Sequence, residues 1–344
     1  MAIYNDAFKL QLPQNGLLHP TKIHPRPGDK MSGLMEEEHE LTSTFKHAGW
    51  TVKYEILSLS QSQQDVSKQK ILVFVHGTPW SSVVFRPLVR SLRASASHRI
   101  LLYDLPGYGQ SQHLDVGPDT PSPRSFTGDT SVKAQATCLA ALLSHLEIDG
   151  KGSNAKPAVL AHDIAGAIVL RAHLLLDCEF ESMMLLDTNA VLPWGDGFYK
   201  LVREEPGVFA RLPEHVFDAM LRAVVKSACH SSRSLENGWE EALVQPWRHG
   251  AKAQESLVRQ IAQANDQDVD EMFGRGLYGH VRCGVTILWG EEDSWIPREK
   301  MEQFTQLLGT RLERFVVVKK AGHLLMLDQR QKVEEEVRLW LQMK

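Results

Sequence analysis

Short runs of consecutive apolar residues recur along the chain, and each is followed by a turn. They lie at residues 71–75, 100–103, 158–160, 183–186, 285–289 and 315–318. A run that is apolar at every position predicts a strand buried on both faces, as in a mainly parallel sheet with helices on each side. The pattern therefore predicts a doubly wound α/β fold.

The first strand-like region has a different pattern. Residues 41–60 contain two runs separated by His47-Ala48-Gly49, which predicts a β-hairpin ahead of the parallel strands. The polar stretch 59–70 that follows predicts a loop. Residues 1–40 show little periodicity, and we interpret them as an arm that lies over the surface.

Helical periodicity replaces the apolar runs between residues 187 and 284, at 209–225 and 256–264. A loop of that length is improbable in a compact domain, so we expect a helical insertion. Its place after a strand of the sheet puts it over the carboxyl ends of the strands, where open α/β sheets bind ligands. The predicted organisation is an arm at 1–40, a core at 41–189 and 281–344, and a helical cap, or lid, at 190–280.

One strand-to-helix junction, at residues 157–171, has an unusual composition. An apolar run at 158–160 predicts a buried strand, and apolar periodicity from 165 to 176 predicts a helix. Small residues flank the turn between them, as a sharp and closely packed turn requires. Such a turn pushes its middle residue out above the sheet, and that residue is Asp163.

Two further polar residues follow other predicted strands. Asp293 occurs in Trp-Gly-Glu-Glu-Asp-Ser-Trp-Ile-Pro, and His323 occurs in Lys-Ala-Gly-His-Leu-Leu. A catalytic histidine needs a carboxylate that holds its tautomer and stabilises its charged form, and Asp293 is placed to supply one. Glu291 and Glu292 are alternatives for that acid. The candidate triad is Asp163, Asp293 and His323.

Composition and charge narrow the choice of partners. The chain is 43% hydrophobic and 23% charged, with a net charge of -4 and a pI near 6.4, so no nucleic-acid partner is expected. The N-terminus lacks a basic segment followed by an apolar core, and no apolar run approaches the ~20 residues of a membrane span, which predicts a cytoplasmic protein without a membrane partner. The cysteines lie far apart without metal-ligand spacing and are expected to be free thiols: Cys138, Cys178, Cys229 and Cys283.

Five motifs in order give the chain a specific resemblance. They are His-Gly-Thr-Pro at 76–79, Asp-Leu-Pro-Gly-Tyr-Gly-Gln-Ser at 104–111, His-Asp-x-x-Gly at 162–166, and the acid and histidine motifs described above. From about residue 41 to the C-terminus the chain resembles the α/β-hydrolase superfamily, and within it the branch of epoxide hydrolases and haloalkane dehalogenases, which use an Asp nucleophile. The run 76–86 is especially similar to the dehalogenases. The resemblance implies the α/β-hydrolase fold: a mainly parallel, eight-stranded sheet flanked by helices, with a helical cap insertion.

The resemblance also implies roles near the nucleophile. In this fold one backbone N–H of the oxyanion hole comes from the loop at 76–79, and the other comes from the residue after the nucleophile, Ile164. Pro79 has no N–H, so the first donor is expected to be Thr78. His76 and His162 are expected to be structural residues that hydrogen-bond the loops carrying these donors.

The identity of the nucleophile decides the class of reaction. A carboxylate is a weak nucleophile toward acyl carbon but displaces at saturated carbon, so an epoxide or a haloalkane is the expected substrate. The resembled epoxide hydrolases protonate the opened ring with two lid tyrosines, for which Tyr199 and Tyr278 are the candidates. The resembled dehalogenases hold a halide at two positions that are occupied here by Ile164 and Thr78. The lack of halide-binding side chains at these two positions counts against a haloalkane substrate, although Trp80 or Trp194 could offer an indole N–H to a halide.

The sequence leaves alternatives open. The leading hypothesis is an epoxide hydrolase, or a variant in which an internal hydroxyl of the substrate completes the opening and forms a cyclic ether. A dehalogenase for haloalkanes or haloacids is the second hypothesis, and a lyase-like or ligand-binding protein of this fold is the third. The substrate is expected to be a small, apolar molecule, and neither a metal nor another cofactor is expected, because the chain has no His/Cys cluster and no phosphate-binding loop.

Overall fold

The computed structural model describes residues 40–58, 70–93, 98–115, 126–194 and 197–343. The described residues form one eight-stranded sheet in the order β1-β2-β4-β3-β5-β6-β7-β8. β3 to β8 are parallel, whereas β2 runs antiparallel to both β1 and β4. The strands are β1 (Ser43–His47), β2 (Trp50–Ser58), β3 (Lys70–Val75), β4 (His98–Tyr103), β5 (Ala158–His162), β6 (Ser182–Leu186), β7 (Gly284–Gly290) and β8 (Leu312–Val318).

The predicted fold class is confirmed, because each predicted apolar run lies within a strand of the sheet. The central strands β5 and β6 are buried at every position, as their unbroken apolar sequences require, and β1 at the edge alternates between exposed and partly buried residues. The predicted hairpin is the antiparallel pair β1 and β2. The predicted arm, apart from Glu40, and the predicted loop, apart from Lys70, lie outside the described residues.

Helices flank the sheet and join its strands. They are α1 (Arg86–Arg93), α2 (Val132–His145), α3 (Ile164–Leu175), α4 (Gly197–Glu204), α5 (Pro206–Phe209), α6 (Glu214–Ser227), α7 (Trp239–Val244), α8 (Ala251–Gln263), α9 (Asp266–Phe273), α10 (Arg298–Leu308), α11 (Leu325–Asp328) and α12 (Arg330–Gln342). Short 3-10 helices lie at Ser82–Phe85, Ser232–Leu235, Gln245–Trp247, Leu277–His280 and Gly309–Arg311. None of the helices in the described ranges has the length and apolar character needed to cross a membrane.

The insertion between β6 and β7 is helical, as its periodicity predicts, and it contains α4 to α9. One predicted boundary is wrong: the helix expected at 209–225 is divided into α5 and α6. Pro213 stands immediately before α6, and a proline disfavours helical backbone in the residue before it and cannot donate within a helix. The second predicted helix, 256–264, corresponds to the end of α8.

Candidate active site

Asp163 lies at the junction of β5 and α3 with φ +57° and ψ -127°, in the region that disfavours side chains. Its backbone is held on both sides, because its N–H donates to Leu186 O at 3.0 Å and its carbonyl accepts from Asn189 N at 3.1 Å. The helix packs closely here: a Cβ added to Gly166 would lie 2.2 Å from Thr188 Cγ2. The small-residue pattern around Asp163 therefore has a physical cause in close packing against the chain that follows β6.

The carboxylate of Asp163 is 6% exposed and is held by backbone donors. Thr78 N donates to Oδ2 at 2.9 Å, and the N–H of Ile164 also donates to the carboxylate. Gly77 permits this approach, since a Cβ there would lie 2.5 Å from Asp163 Cβ. Burial raises the pKa of Asp163, although the charge of His323 and the two N–H donors oppose the shift. The two N–H groups predicted as an oxyanion hole thus point at Asp163.

His323 joins Asp163 to Asp293. Its Nδ1 donates to Asp293 Oδ2 at 2.9 Å, and its Nε2 lies 3.7 Å from Asp163 Oδ1. Among the described residues nothing hydrogen-bonds to Nε2. Because the carboxylate fixes the proton on Nδ1, neutral His323 presents an unprotonated Nε2 toward Asp163, as a general base must. Burial alone would lower the pKa of His323, but the charges of Asp293 and Asp163 and the hydrogen bond to Asp293 raise it above its usual value.

The acid partner of His323 is Asp293 and neither of the neighbouring glutamates. Asp293 Oδ1 accepts from Trp295 N at 2.7 Å and from Ile296 N at 3.1 Å, so both of its oxygens have donors. Glu291 and Glu292 are exposed. A loop that wraps its own N–H groups around Asp293 fixes the carboxylate before His323 uses it.

His76 and His162 lie beneath this site and are completely buried. His76 Nδ1 donates to Gly77 O at 2.9 Å and its Nε2 accepts from Leu105 N at 3.0 Å, so it supports the loop that carries Thr78. His162 Nε2 donates to His323 O at 2.8 Å. Burial lowers the pKa of both rings, which keeps them uncharged. The structure thus places both histidines in supporting positions.

The sequence interpretation missed Trp295, which stacks on His323. Its ring stacks on His323 with centroids 4.6 Å apart and an angle of 26° between planes, and its backbone N–H is one of the donors to Asp293. Trp80 also stacks on Trp295, with ring centroids 5.9 Å apart. The position of Trp295, two residues after the acid, was the available signal. Trp295 shields the His323–Asp293 pair from water.

A second missed residue, Asp187, is a fully buried acid that directly follows β6. Its Oδ1 accepts from Gly290 N at 2.8 Å, and it also contacts Asp293. Burial and the charge of Asp293 raise the pKa of Asp187 well above its usual value, which favours its uncharged form. An acid directly after a predicted strand was the available signal.

One group of side chains in the described ranges has the spacing of a metal site. Single ligand atoms of His162, Asp187 and His323 lie within 4.8 Å of one another. However, His162 Nε2 already donates to His323 O, and His323 Nδ1 already donates to Asp293. A metal would have to use an imidazole nitrogen that the candidate triad needs. The group therefore fits a hydrogen-bonded support better than a cation site.

A cavity of about 310 Å³ opens onto Asp163. Thr78 and Ile164 form its floor, and the helical insertion contributes Tyr199 to its wall. Trp194, in the segment between β6 and α4, also lines the cavity, and among the described residues nothing accepts from its buried Nε1. Two leaving-group candidates from the sequence, Tyr199 and Trp194, therefore line the same cavity as Asp163.

The other two leaving-group candidates, Tyr278 and Trp80, do not line the cavity. Tyr278 lies in the 3-10 helix Leu277–His280, is 1% exposed, and donates from its hydroxyl to Ala190 O at 2.7 Å. It packs edge-on against Phe304 and is absent from the cavity wall. Trp80 is also absent from the wall, because it lies behind Trp295. We therefore correct the sequence assignment: Tyr278 and Trp80 have packing roles.

The sheet order, the sharp turn at Asp163 and the buried Asp-His-Asp arrangement define an α/β-hydrolase fold with a carboxylate in the nucleophile position. The family model described as "Alpha/beta hydrolase family" matches residues 72–336. The chain therefore belongs to the alpha/beta hydrolase family and is a hydrolase of that superfamily. A comparison with curated proteins gives no match.

Solved structures of the same fold include several activities. An alpha/beta hydrolase fold protein from Burkholderia ambifaria is 30% identical, with a TM-score of 0.73 over 87% of this chain and 97% of its own. A thermophilic esterase from Thermogutta terrifontis is 19% identical, with a TM-score of 0.65 over 87% and 96% of the two chains. The epoxide hydrolase CorEH is 17% identical, with a TM-score of 0.67 over 88% and 99%. At 19% and 17% identity, the similarity to the esterase and to the epoxide hydrolase shows the fold alone.

Proposed function

We propose that the protein hydrolyses an epoxide through a covalent ester on Asp163. One observation carries this proposal: the residue at the nucleophile turn is an aspartate that is held by two backbone N–H groups and lies 3.7 Å from His323 Nε2. A serine there would attack acyl carbon, whereas a carboxylate attacking an acyl group forms an anhydride that reverts easily. At saturated carbon the product is a stable ester, which a second step then hydrolyses.

In the first step, an oxygen of Asp163 attacks an epoxide carbon, and the carbon–oxygen bond of the ring breaks. The alkoxide that forms needs a proton or strong hydrogen bonds, and Tyr199 is the hydroxyl donor in the cavity wall that we assign to it. This step uses up the negative charge of Asp163. Its product is a neutral ester with a hydroxyl group on the neighbouring carbon.

In the second step, His323 removes a proton from water, and the resulting hydroxide attacks the carboxyl carbon of Asp163. The oxyanion that develops on that carboxyl group is stabilised by the N–H groups of Thr78 and Ile164, which already hold the carboxylate in the free protein. Cleavage of the ester releases the diol, which takes the proton from His323. The proton that the attacking hydroxide leaves on the Asp163 carboxyl group returns to the Tyr199 oxygen that gave up its proton in the first step, so both residues regain their starting states. The sum of the two steps is epoxide plus water giving diol. In a variant of this scheme, a hydroxyl of the substrate opens the epoxide and closes a cyclic ether.

A second candidate function, dehalogenation of a haloalkane or haloacid, is favoured by Trp194. Its Nε1 is buried in the cavity wall and has no acceptor among the described residues, and a weakly hydrated halide accepts well from such a donor. Against it, Ile164 and Thr78 occupy the positions where the resembled dehalogenases hold the halide. Halide release from a panel of haloalkanes and haloacids distinguishes this function, because epoxide opening releases no ion. A lyase-like or ligand-binding role without hydrolysis is a third candidate that the same experiments test.

The test of the covalent mechanism follows an oxygen atom. During repeated turnover in isotopically labelled water, attack at the carboxyl carbon transfers solvent oxygen into Asp163, and mass spectrometry of the peptide that contains Asp163 detects it. We expect His323→Gln to stop after the first step, so that one substrate mass remains bound per protein. An active protein whose Asp163 gains no label would overturn the proposal, and so would full activity in Asp163→Asn.

A further inference from the structure

Two basic side chains line the same cavity as Asp163. Arg203 comes from α4 in the helical insertion, and Lys300 comes from α10 after β7. Both are partly buried, so their positive charges are partly removed from water. A cavity for a wholly apolar substrate has no use for two such charges, because each costs desolvation energy.

Both cations are directed to one short segment of backbone, residues 191–194. Arg203 Nη2 donates to Trp194 O at 2.8 Å. Lys300 Nζ donates to Val191 O at 3.3 Å and also to Pro193 O. The two charged groups thus converge on a segment of four residues at the cavity wall, although one comes from the insertion and the other from the core.

Neither of these cations forms an ion pair with a carboxylate in the described ranges, whereas other basic residues of the insertion do. Arg222 lies 3.0 Å from Asp218, and Arg248 lies 2.8 Å from the same carboxylate. Burial lowers the pKa of Lys300, and the charge of Asp266 compensates only in part. Arg203 and Lys300 therefore carry positive charge in the cavity wall that the nearby protein does not neutralise.

The rest of the wall is mainly apolar. Ile164, Ile261 and Ile296 contribute branched aliphatic side chains, and Trp295 contributes an aromatic face. Among the described residues that line the cavity, Asp163 is the acidic one. The cavity therefore combines a nucleophile, an apolar middle and a pair of cations, which together fit an apolar molecule with an anionic end.

We propose that Arg203 and Lys300 form an anion subsite, and that the substrate is an apolar epoxide carrying a carboxylate. Guanidinium and ammonium groups can share the two oxygens of one carboxylate through charge-assisted hydrogen bonds, and the carbonyls of residues 191–194 hold both groups in place before the ligand arrives. This inference rests on the proposed epoxide hydrolysis for the identity of the reacting group. The subsite itself depends only on charge. A purely structural role, in which both side chains only fix residues 191–194, is the competing explanation.

The first experiment compares terminal epoxy acids of increasing chain length with their uncharged carboxamides. For the acid whose length matches the cavity, we expect kcat/KM to exceed that of its carboxamide about 10- to 100-fold, since hydrogen bonds to charged groups contribute about 1.5–3 kcal/mol. Arg203→Gln and Lys300→Gln should each reduce the ratio of acid to carboxamide toward one, because the acid loses more than the carboxamide. Lys300→Arg should keep the preference. Equal losses for acid and carboxamide would show a structural role and overturn the subsite.

Lys200→Gln is the matched control. Lys200 lies on α4 with Arg203 but is exposed and is absent from the cavity wall, so its removal changes the net charge without touching the subsite. We expect the ratio of acid to carboxamide to stay as in the unmodified protein. A similar fall in that ratio would mean that overall charge, and not a subsite, attracts the acid, and would overturn the proposal.

A binding experiment separates the subsite from the reaction. Trp194 and Trp295 line the cavity, so their fluorescence should report hexanoate and hexanamide binding without any chemistry. Tighter binding of hexanoate that disappears in Lys300→Gln supports the subsite even if no epoxide is hydrolysed, in which case only the proposed function is wrong. Epoxide hydrolysis without preference for acids, together with equal binding of hexanoate and hexanamide, overturns the subsite and leaves the function standing.

Discussion

The floor and the wall of the cavity are built in different ways. The floor consists of Asp163 and the N–H groups of Thr78 and Ile164, together with His323 and Asp293, which support Asp163 without lining the cavity; all lie after the carboxyl ends of strands, and the side chains are almost fully buried. The wall comes from residues 193–194, α4, the end of α8, the loop at 294–297 and Lys300 of α10, and its polar side chains are partly exposed. The floor determines what chemistry is feasible, and the wall determines which molecule reaches it.

The largest effect is expected at the floor, from Asp293→Asn. Asparagine would stabilise the wrong tautomer of His323 and could not stabilise its charged form, so we expect ester hydrolysis to slow by about 10³–10⁴-fold. Attack by Asp163 does not need a base, so the ester should accumulate. Rapid quenching followed by mass spectrometry measures both rates.

The pH dependence of ester hydrolysis in Asp293→Asn tests whether the lost charge of Asp293 causes the slower rate. Hydrolysis requires neutral His323, so its rate falls as the pH decreases through the pKa of that ring. Burial lowers this pKa, and the charge of Asp293, its hydrogen bond to the ring and the charge of Asp163 together raise it above its usual value. Removing the charge should therefore move the acidic limb of the pH profile to lower pH. Glu292→Gln, which changes an exposed neighbour, should leave both the rate of ester hydrolysis and the acidic limb of the pH profile unchanged. If Glu292→Gln shifted both and Asp293→Asn shifted neither, Glu292 would be the acid partner of His323.

At the wall, a smaller effect is expected from Tyr199→Phe. If the hydroxyl of Tyr199 protonates the opened epoxide, its loss should slow formation of the ester by about 10²-fold and leave ester hydrolysis unchanged. Stopped-flow measurement of the first turnover isolates that step. Tyr278→Phe is the matched control, since its hydroxyl donates to Ala190 O and the residue is absent from the cavity wall. Tyr278→Phe should lower the stability of the protein and leave the rate of ring opening unchanged. If both substitutions slowed ring opening equally, Tyr199 would have no role in the mechanism.

The sequence predicts the floor well because local constraints determine it. The turn at Asp163 needs small neighbours, the close approach of the oxyanion loop needs Gly77, and the strand ends bring their polar residues together. The wall depends on where each side chain of the helical insertion points, which periodicity alone does not define. Thus Tyr199 and Tyr278 are both candidates from the sequence, and of the two the structure brings Tyr199 to the cavity.

Two residues at the edge of the floor were missed for another reason. Asp187 and Trp295 act through contacts with residues that are distant in the sequence, so neither forms a motif of its own. Arg203 and Lys300 gave no signal at all, because ordinary surface cations have the same local sequence context. Local sequence pattern therefore identifies the candidate reacting groups. Tertiary packing is needed to identify the residues that change their pKa values and those that select the substrate.

The smallest effect is expected from Asp187→Asn, although this acid is as buried as His323. Burial and the charge of Asp293 raise the pKa of Asp187 well above its usual value, which favours the uncharged form of the carboxyl group that is replaced. Asparagine has nearly the same shape, keeps an acceptor for Gly290 N, and still offers a donor to Asp293. We expect turnover within about tenfold of the unmodified protein, which corresponds to one neutral hydrogen bond.

Infrared spectroscopy tests the same assignment directly. A protonated Asp187 should give a carboxylic-acid C=O band at neutral pH that is missing in Asp187→Asn. If Asp187 were ionised, that band would be missing in both proteins, and substitution by asparagine would remove a negative charge beside Asp293, lower the pKa of His323 and shift the acidic limb of the pH profile. If Asp293 alone carries the charge, the turnover rates of Asp293→Asn and Asp187→Asn should differ by about two to four orders of magnitude, although the two substitutions make the same chemical change in two touching carboxyl groups.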